Sequence, residues 1–115
     1  MARFVGLHTL PGFTRENLSS GNWIVRVGSE DEFIARWTDF LQWSRDSADG
    51  LGSASLIRAS DNPRHFISFA EWDSLESLNA WRSQPDFGSK LMACRALCDD
   101  FNGSNYILAA SVRGR

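Results

Sequence analysis

The sequence has no run of basic residues and no apolar run near the ~20 residues that cross a bilayer. Its 115 residues carry a formal net charge of -2. A nucleic-acid partner is not expected, because such proteins present clustered positive charge to phosphates. No membrane-spanning helix is expected either. The first residues, MARFVGLHTLPGF, make a poor signal peptide, so we expect a cytoplasmic location.

Cysteine is also scarce. The two cysteines, Cys94 and Cys98, lie four residues apart in a helical pattern, where a disulfide between them is not favoured. No further cysteine completes a metal site, so we expect reduced, buried thiols. The spacing of residues predicts no metal centre, no phosphate-binding loop and no Ser-His-Asp order.

Tyrosine occurs once, whereas the chain contains five Trp and eight Phe, and aromatic residues make up 12% of it. Aromatic side chains bury large apolar areas and often line ligand pockets. In a single small domain, this content predicts an aromatic core, an aromatic-lined pocket or an apolar surface between subunits.

Residues 64–72 alternate as a strand, followed by a helix. One strand face carries Phe66, Ser68, Ala70 and Trp72, and the other carries His65, Ile67, Phe69 and Glu71. We expect His65 to be exposed or at an interface. Asp73 and Glu76 have the spacing of a capping box, which predicts a helix beginning there and ending before Pro85.

The remaining patterns complete a ferredoxin-like β-α-β-β-α-β fold of the α+β class with an antiparallel sheet. Other strands are predicted at 22–27, 53–58 and 106–112, and other helices from Ser29 to residue 48 and over 86–99. Turns are predicted at 61–63 and 102–103. We assign residues 1–20 to an N-terminal arm with a short strand at 3–7, residues 21–112 to the domain, and 113–115 to a frayed tail.

Two of the predicted strands, 64–72 and 106–112, are apolar on both faces. Helices can cover only one face of such a sheet, so the other face needs a second cover. Packing of two sheets face to face predicts a homodimer, a dimeric αβ-barrel.

The segment FAEWDSLESLNAWRSQPDF resembles the hallmark of the antibiotic biosynthesis monooxygenase family of dimeric αβ-barrel proteins. Within that family the chain looks most like the anthrone monooxygenases of aromatic polyketide pathways. The resemblance covers about residues 22–112 and has no gaps over 22–33 and 50–72.

This resemblance implies a pocket inside each subunit, between sheet and helices, that binds a small aromatic substrate and O2. The family oxygenates anthrones or quinols to quinones without flavin, metal or haem. Asn22 and Trp72 match pocket residues of the family and are implied to be catalytic. Ser68 replaces a second family asparagine, and a hydroxyl donates or accepts with a shorter reach.

Further substrate-binding positions follow from shared faces. Phe66, Ala70 and Ile24 are predicted pocket neighbours of Trp72, with Phe33 and Trp37 closing the pocket from the first helix. Each candidate also has a structural explanation. Trp72 can be a core residue, Asn22 can cap a turn after Gly21, and Ser68 can fill a tight position in the sheet.

Three alternatives remain open at the level of sequence. The chain can be a non-catalytic, dimeric ligand-binding barrel, which the loss of asparagine at Ser68 favours. It can act on a quinol or a small metabolite outside polyketide synthesis. It can also belong to the haem-degrading branch, although the iron-ligating histidine of that branch would fall on Leu91.

Overall fold

The computed structural model describes residues 15–115. In chain order the elements are β1 (Asn17–Val25), α1 (Glu30–Ser47), β2 (Leu51–Ala59), β3 (Asn62–Trp72), α2 (Leu75–Arg82), α3 (Phe87–Arg95) and β4 (Cys98–Ile107). The four strands form one antiparallel sheet in the order β2-β3-β1-β4. The predicted α+β, ferredoxin-like fold is confirmed. The strand expected at 3–7 lies outside the described residues.

Helix α1 forms within the predicted range, Ser29 to residue 48. Three acidic residues occupy its first turn, where their negative charge interacts favourably with the positive end of the helix dipole. Phe33, Trp37 and Phe40 recur at helical spacing and are buried in the core. Ile34, at the edge of this apolar face, remains 37% exposed. The helix therefore packs on the sheet through an aromatic face.

The predicted Asp73–Glu76 capping box is wrong. Ser74 is the N-cap of α2, and its hydroxyl accepts a hydrogen bond from the N–H of Ser77 at 3.0 Å. Asp73 stays with the sheet edge, because its N–H donates to the carbonyl of Gly50 at 2.9 Å. The backbone N–H of Asp73 is thus hydrogen-bonded to the neighbouring segment of the sheet edge, and the helix begins after Ser74.

The predicted last strand, 106–112, is also wrong. Strand β4 begins at Cys98, so α3 ends at Arg95 rather than at residue 99, and the expected turn at 102–103 lies inside the strand. Phe101 explains this register, since its ring packs on Trp23 with centroids 4.1 Å apart. Residues 108–115 have no regular structure. Long-range packing overrides the local turn preference of Asn-Gly.

Strand β1 begins at Asn17, within the segment assigned to the arm. Its early residues 17–20 pair with β3 on one side and β4 on the other. The strand is therefore one of the two central strands of the sheet. Its inner face, towards the helices, carries Ser19, Gly21 and Trp23, which lie opposite Ala70, Ser68 and Phe66 of β3.

The outer face of the sheet points away from the helices. It carries Asn22 and Ile24 of β1, paired with Ile67 and His65 of β3. Ile57 of β2 lies beside Ile67 and is 49% exposed. Leu18, on the same face, is buried, but Ile24, Ile57 and Ile67 are only partly covered within the subunit.

Cys94 is free and buried, as predicted, whereas Cys98 is free but only partly buried and begins β4 instead of continuing a helix. We expect both thiols to react slowly in the folded protein. Burial is the main cause that raises the pKa of Cys94 to about 12 and that of Cys98 to about 11. At pH 8 the reactive thiolate is therefore a much smaller fraction than in the unfolded chain. Labelling with an aromatic disulfide reagent should be at least about tenfold slower without urea than with it. Fast labelling of both thiols in the native protein would contradict this.

Candidate functional site

A cavity of about 170 Å³ lies between the helices and the inner face of the sheet. Aromatic rings form a large part of its wall, among them Trp23, Trp37, Phe40, Trp81, Phe87 and Phe101. These rings also contact one another, as in the stacking of Trp81 on Phe40 at a centroid distance of 5.8 Å. Such a wall suits a flat, apolar ring system.

The floor of the cavity is glycine backbone. Gly21 of β1 pairs with Gly103 of β4, and both line the cavity. A Cβ atom at Gly21 would lie 2.7 Å from Trp23 Nε1 and 2.9 Å from Ser68 Oγ. Glycine is therefore required here, because any side chain would displace the indole and the hydroxyl that meet above it.

Three tryptophans around the site each donate the indole N–H to a buried serine hydroxyl. The bonds join Trp23 Nε1 to Ser68 Oγ at 3.0 Å, Trp72 Nε1 to Ser19 Oγ at 3.1 Å, and Trp81 Nε1 to Ser44 Oγ at 2.8 Å. Buried indole N–H groups need such partners. Each bond also fixes where the serine oxygen lies.

The three serine hydroxyls differ in where their own proton goes. Ser44 donates its own to the carbonyl of Phe40 at 2.8 Å. Ser19 and Ser68 line the cavity, and neither has an acceptor for its proton among residues 15–115. A hydroxyl that accepts from an indole can still donate one hydrogen bond. The cavity thus offers two oriented hydroxyl donors beside its aromatic rings.

The sequence matches a known protein family. A family model for antibiotic biosynthesis monooxygenases matches residues 22–89, more than half of the chain. The chain belongs to the antibiotic biosynthesis monooxygenase family. No curated protein matches the sequence at a significant level.

Solved structures share the fold at low identity. A mutant of SnoaB, a cofactor-independent oxygenase from Streptomyces nogalater, is 18% identical with a TM-score of 0.77, covering 84% of this chain and 96% of that one. A proposed antibiotic biosynthesis monooxygenase from Deinococcus radiodurans is 17% identical with a TM-score of 0.73, covering 86% and 98%. A protein from Shewanella oneidensis is 13% identical with a TM-score of 0.71, covering 82% and 91%.

Trp72, predicted to be catalytic, does not line the cavity but lies behind its wall. It is fully buried, and its ring contacts that of Trp81 at a centroid distance of 4.8 Å. Trp81 lines the cavity, whereas Trp72 reaches it only through the hydrogen bond to Ser19. In the described subunit, Trp72 therefore fixes the position of the Ser19 hydroxyl through this hydrogen bond.

Asn22 and Ile24 do not join Trp72 at one site. Both lie on the outer face of the sheet, because side chains alternate along β1 and Trp23 between them points inward. Asn22 is exposed, and its Oδ1 lies 2.8 Å from His65 Nε2, in hydrogen-bond contact. The prediction that Asn22 and Ile24 lie in the pocket beside Trp72 is therefore wrong, because the strand register places both on the outer face.

The other predicted binding residues divide into two groups. Ser68, Ala70 and Trp37 line the cavity as expected. Phe33 and Phe66 do not, and pack on each other in the core with centroids 5.0 Å apart.

Sequence reasoning missed several cavity residues, namely Ser19, Trp23, Ser44, Trp81 and Arg82. Alternation along β1 was a usable signal for two of them, since Ser19 and Trp23 share the face of Gly21. That signal was lost because the strand was predicted to begin at residue 22 rather than at Asn17.

Arg82 brings positive charge to this apolar site. It ends α2 and lines the cavity, and its Nη2 donates to Asn105 Oδ1 at 2.8 Å. Its Nε is the one buried side-chain nitrogen or oxygen without a hydrogen-bond partner among residues 15–115. Burial lowers the pKa of Arg82, although a guanidinium stays charged at neutral pH.

Within residues 15–115, no group of three or more His, Cys, Asp or Glu side chains is placed to hold a metal ion. Leu91, where the haem-degrading branch has its histidine, lines the cavity with an aliphatic side chain. None of the helices in the described part of the chain has the length and hydropathy needed to span a bilayer.

Proposed function

We propose that this chain is a cofactor-independent monooxygenase that oxidises an electron-rich polycyclic aromatic, of the anthrone or quinol type, to a quinone with O2. The observation that carries the proposal is the pair of hydroxyl donors, Ser19 and Ser68, in an aromatic-walled cavity. Membership of the monooxygenase family supports it. The oxygenase described for SnoaB, which shares the fold, gives the precedent for the absence of a cofactor.

The chemistry is feasible with side chains alone. An anthrone loses a proton from its acidic carbon, and the resulting anion gives one electron to O2. The two radicals combine to form a carbon–oxygen bond, the peroxide takes up a proton, and loss of water leaves the quinone. Each anthrone thus consumes an equal amount of O2 and releases an equal amount of water.

The cavity would assist this reaction in two ways. The Ser19 and Ser68 hydroxyls would donate hydrogen bonds to the oxygen on which negative charge develops, favouring the anion. The aromatic wall would enclose the rings and keep bulk water from the reactive intermediates. Trp72 and Trp23 would hold the two serine oxygens in place through their indole N–H groups.

Oxygen uptake tests the proposal. Purified protein, checked by metal analysis and absorbance to be free of metal and flavin, is given 1,8-dihydroxyanthrone in an oxygen electrode cell. We expect uptake well above autoxidation and quinone formed in equal amount, with heat-denatured protein as the control. Uptake no faster than the control, combined with measurable binding of the anthrone, would instead favour the non-catalytic ligand-binding barrel.

We also propose that two copies of the chain pack through the outer faces of their sheets. Ile57, Ile67 and Tyr106 lie on that face, with Ile57 49% and Tyr106 56% exposed. Burying such side chains between sheets would remove apolar area from water. A cytoplasmic location is proposed as well, since the two free thiols suit a reducing compartment.

Sedimentation equilibrium should therefore give twice the chain mass of 12.9 kDa at micromolar concentration. Replacing Ile57 with Glu should shift the population towards the monomer, because it places a charge in the proposed contact. Ile34→Glu on the exposed edge of α1 is the matched control and should leave the dimer intact. A wild-type protein that sediments only as a monomer would contradict the proposal.

A further inference from the structure

The charge at Arg82 is not accounted for by the fold. Some arginines in the described region have ion-pair partners, such as Arg64 with Asp99 and Arg36 with Asp39. No acidic side chain among residues 15–115 pairs with Arg82. Its hydrogen bond to Asn105 uses one of the five N–H donors that a guanidinium carries.

The surroundings of Arg82 are aromatic. Its Cζ lies 5.5 Å from the ring centroid of Trp81 and 5.9 Å from that of Phe87, and both rings line the cavity. These contacts stabilise the cation and hold the guanidinium at the cavity wall. The Nε–H is buried without a partner among residues 15–115, so the donors left for a ligand in the cavity are the remaining N–H groups of the guanidinium.

We propose that the cavity takes an aromatic ligand with a carboxylate at one edge of its rings, and that Arg82 binds this carboxylate. A guanidinium presents its donors as a planar fork that matches the two oxygens of a carboxylate. The neutral serine hydroxyls, by contrast, suit an oxygen that gains charge only during reaction. The ligand therefore has two polar ends. One is a carboxylate that is charged before the reaction, and the other is an oxygen that becomes charged only during it. This inference rests on the proposed function, since it describes the substrate class of the same cavity.

The test compares two ligands of nearly equal shape. Anthraquinone-2-carboxylate and 2-(hydroxymethyl)anthraquinone are titrated into the protein, and affinity is measured by quenching of tryptophan fluorescence and by calorimetry. We expect the wild type to bind the carboxylate at least about tenfold more tightly, because hydrogen bonds to charged groups are the stronger ones. Arg82→Met should remove this preference and leave the affinity for the neutral ligand within about twofold, because the aromatic wall remains.

Three further variants separate recognition from structure. Arg82→Lys should keep part of the preference, since the charge remains and the fork is lost. Asn105→Ala should keep the preference, because it removes only the protein's own contact to Arg82. Arg45→Met, at an exposed arginine of α1, is the control for net charge and should also keep it. Equal affinity of the wild type for both ligands, or equal weakening of both by Arg82→Met, would overturn the proposal.

Oxygen uptake distinguishes this inference from the proposed function. A carboxylate preference that depends on Arg82, in a protein that oxidises no anthrone, would refute the oxygenase and leave the ligand class in place. Uptake with no carboxylate preference would refute the role of Arg82 alone. Equal loss of preference in Arg45→Met would assign the effect to net charge and also refute it.

Discussion

Replacing Ser19 and Ser68 together with alanine is expected to lower kcat for anthrone oxidation by about 10²–10³-fold. The two hydroxyls are the proposed donors to the developing oxyanion, and their loss removes those hydrogen bonds. KM should change little, because the aromatic wall that binds the rings is untouched. Each single replacement should give an intermediate loss.

The same replacements also affect stability. The indoles of Trp23 and Trp72 lose their acceptors, and an unsatisfied buried donor costs about 1–3 kcal/mol. The assay is therefore run at a temperature where urea unfolding shows every variant to be folded. Ser55→Ala, on the exposed outer side of β2, is the matched control and should retain full turnover. Wild-type kcat in the double variant would remove both serines from the mechanism.

Replacing Trp72 with alanine is expected to lower the free energy of unfolding by about 3–5 kcal/mol. Its side chain is fully buried, packs on Trp81 and supplies the hydrogen bond to Ser19. Removing it leaves a void behind the wall of the aromatic cavity and an unoriented Ser19 hydroxyl. Urea denaturation followed by circular dichroism measures the loss, since the remaining tryptophans would complicate fluorescence.

Two further variants show whether Trp72 acts through its ring or its N–H. Trp72→Phe keeps most of the packing, so its stability loss should be about 1–2 kcal/mol, but it should still reduce kcat because Ser19 is released. Trp43→Ala is the control for a partly buried tryptophan, which stacks on Phe40 at a centroid distance of 6.2 Å. It should cost about 1 kcal/mol and spare turnover. Equal stability losses in Trp72→Ala and Trp43→Ala would show that Trp72 has no special role.

The elements that were predicted well are those with a strong local period. Phe33, Trp37 and Phe40 repeat at helical spacing, and α1 buries them. Phe66, Ser68, Ala70 and Trp72 alternate strictly, and all four lie buried on the inner face of β3. In both cases the burial pattern follows from the backbone repeat, which a sequence displays directly.

Strand β4 was predicted poorly because its local signals point elsewhere. Asn102-Gly103 is typical of a turn, and the apolar residues after Tyr106 are typical of a strand. In the structure, Gly103 instead lies opposite Gly21, and Phe101 packs on Trp23. These contacts join residues far apart in the chain, and they outweigh the local preferences.

The site shows the same division. Local patterns in the sequence were enough to give the fold class, the family and the inward side of Ser68, Ala70 and Trp37, because these depend on short-range periodicity and on a continuous motif. Tertiary structure alone decided which polar groups meet at the cavity. Ser19 is oriented by Trp72, Ser68 by Trp23, and Asn22 faces away. The reason is strand register, since a shift of a single residue moves a side chain to the opposite face of the sheet.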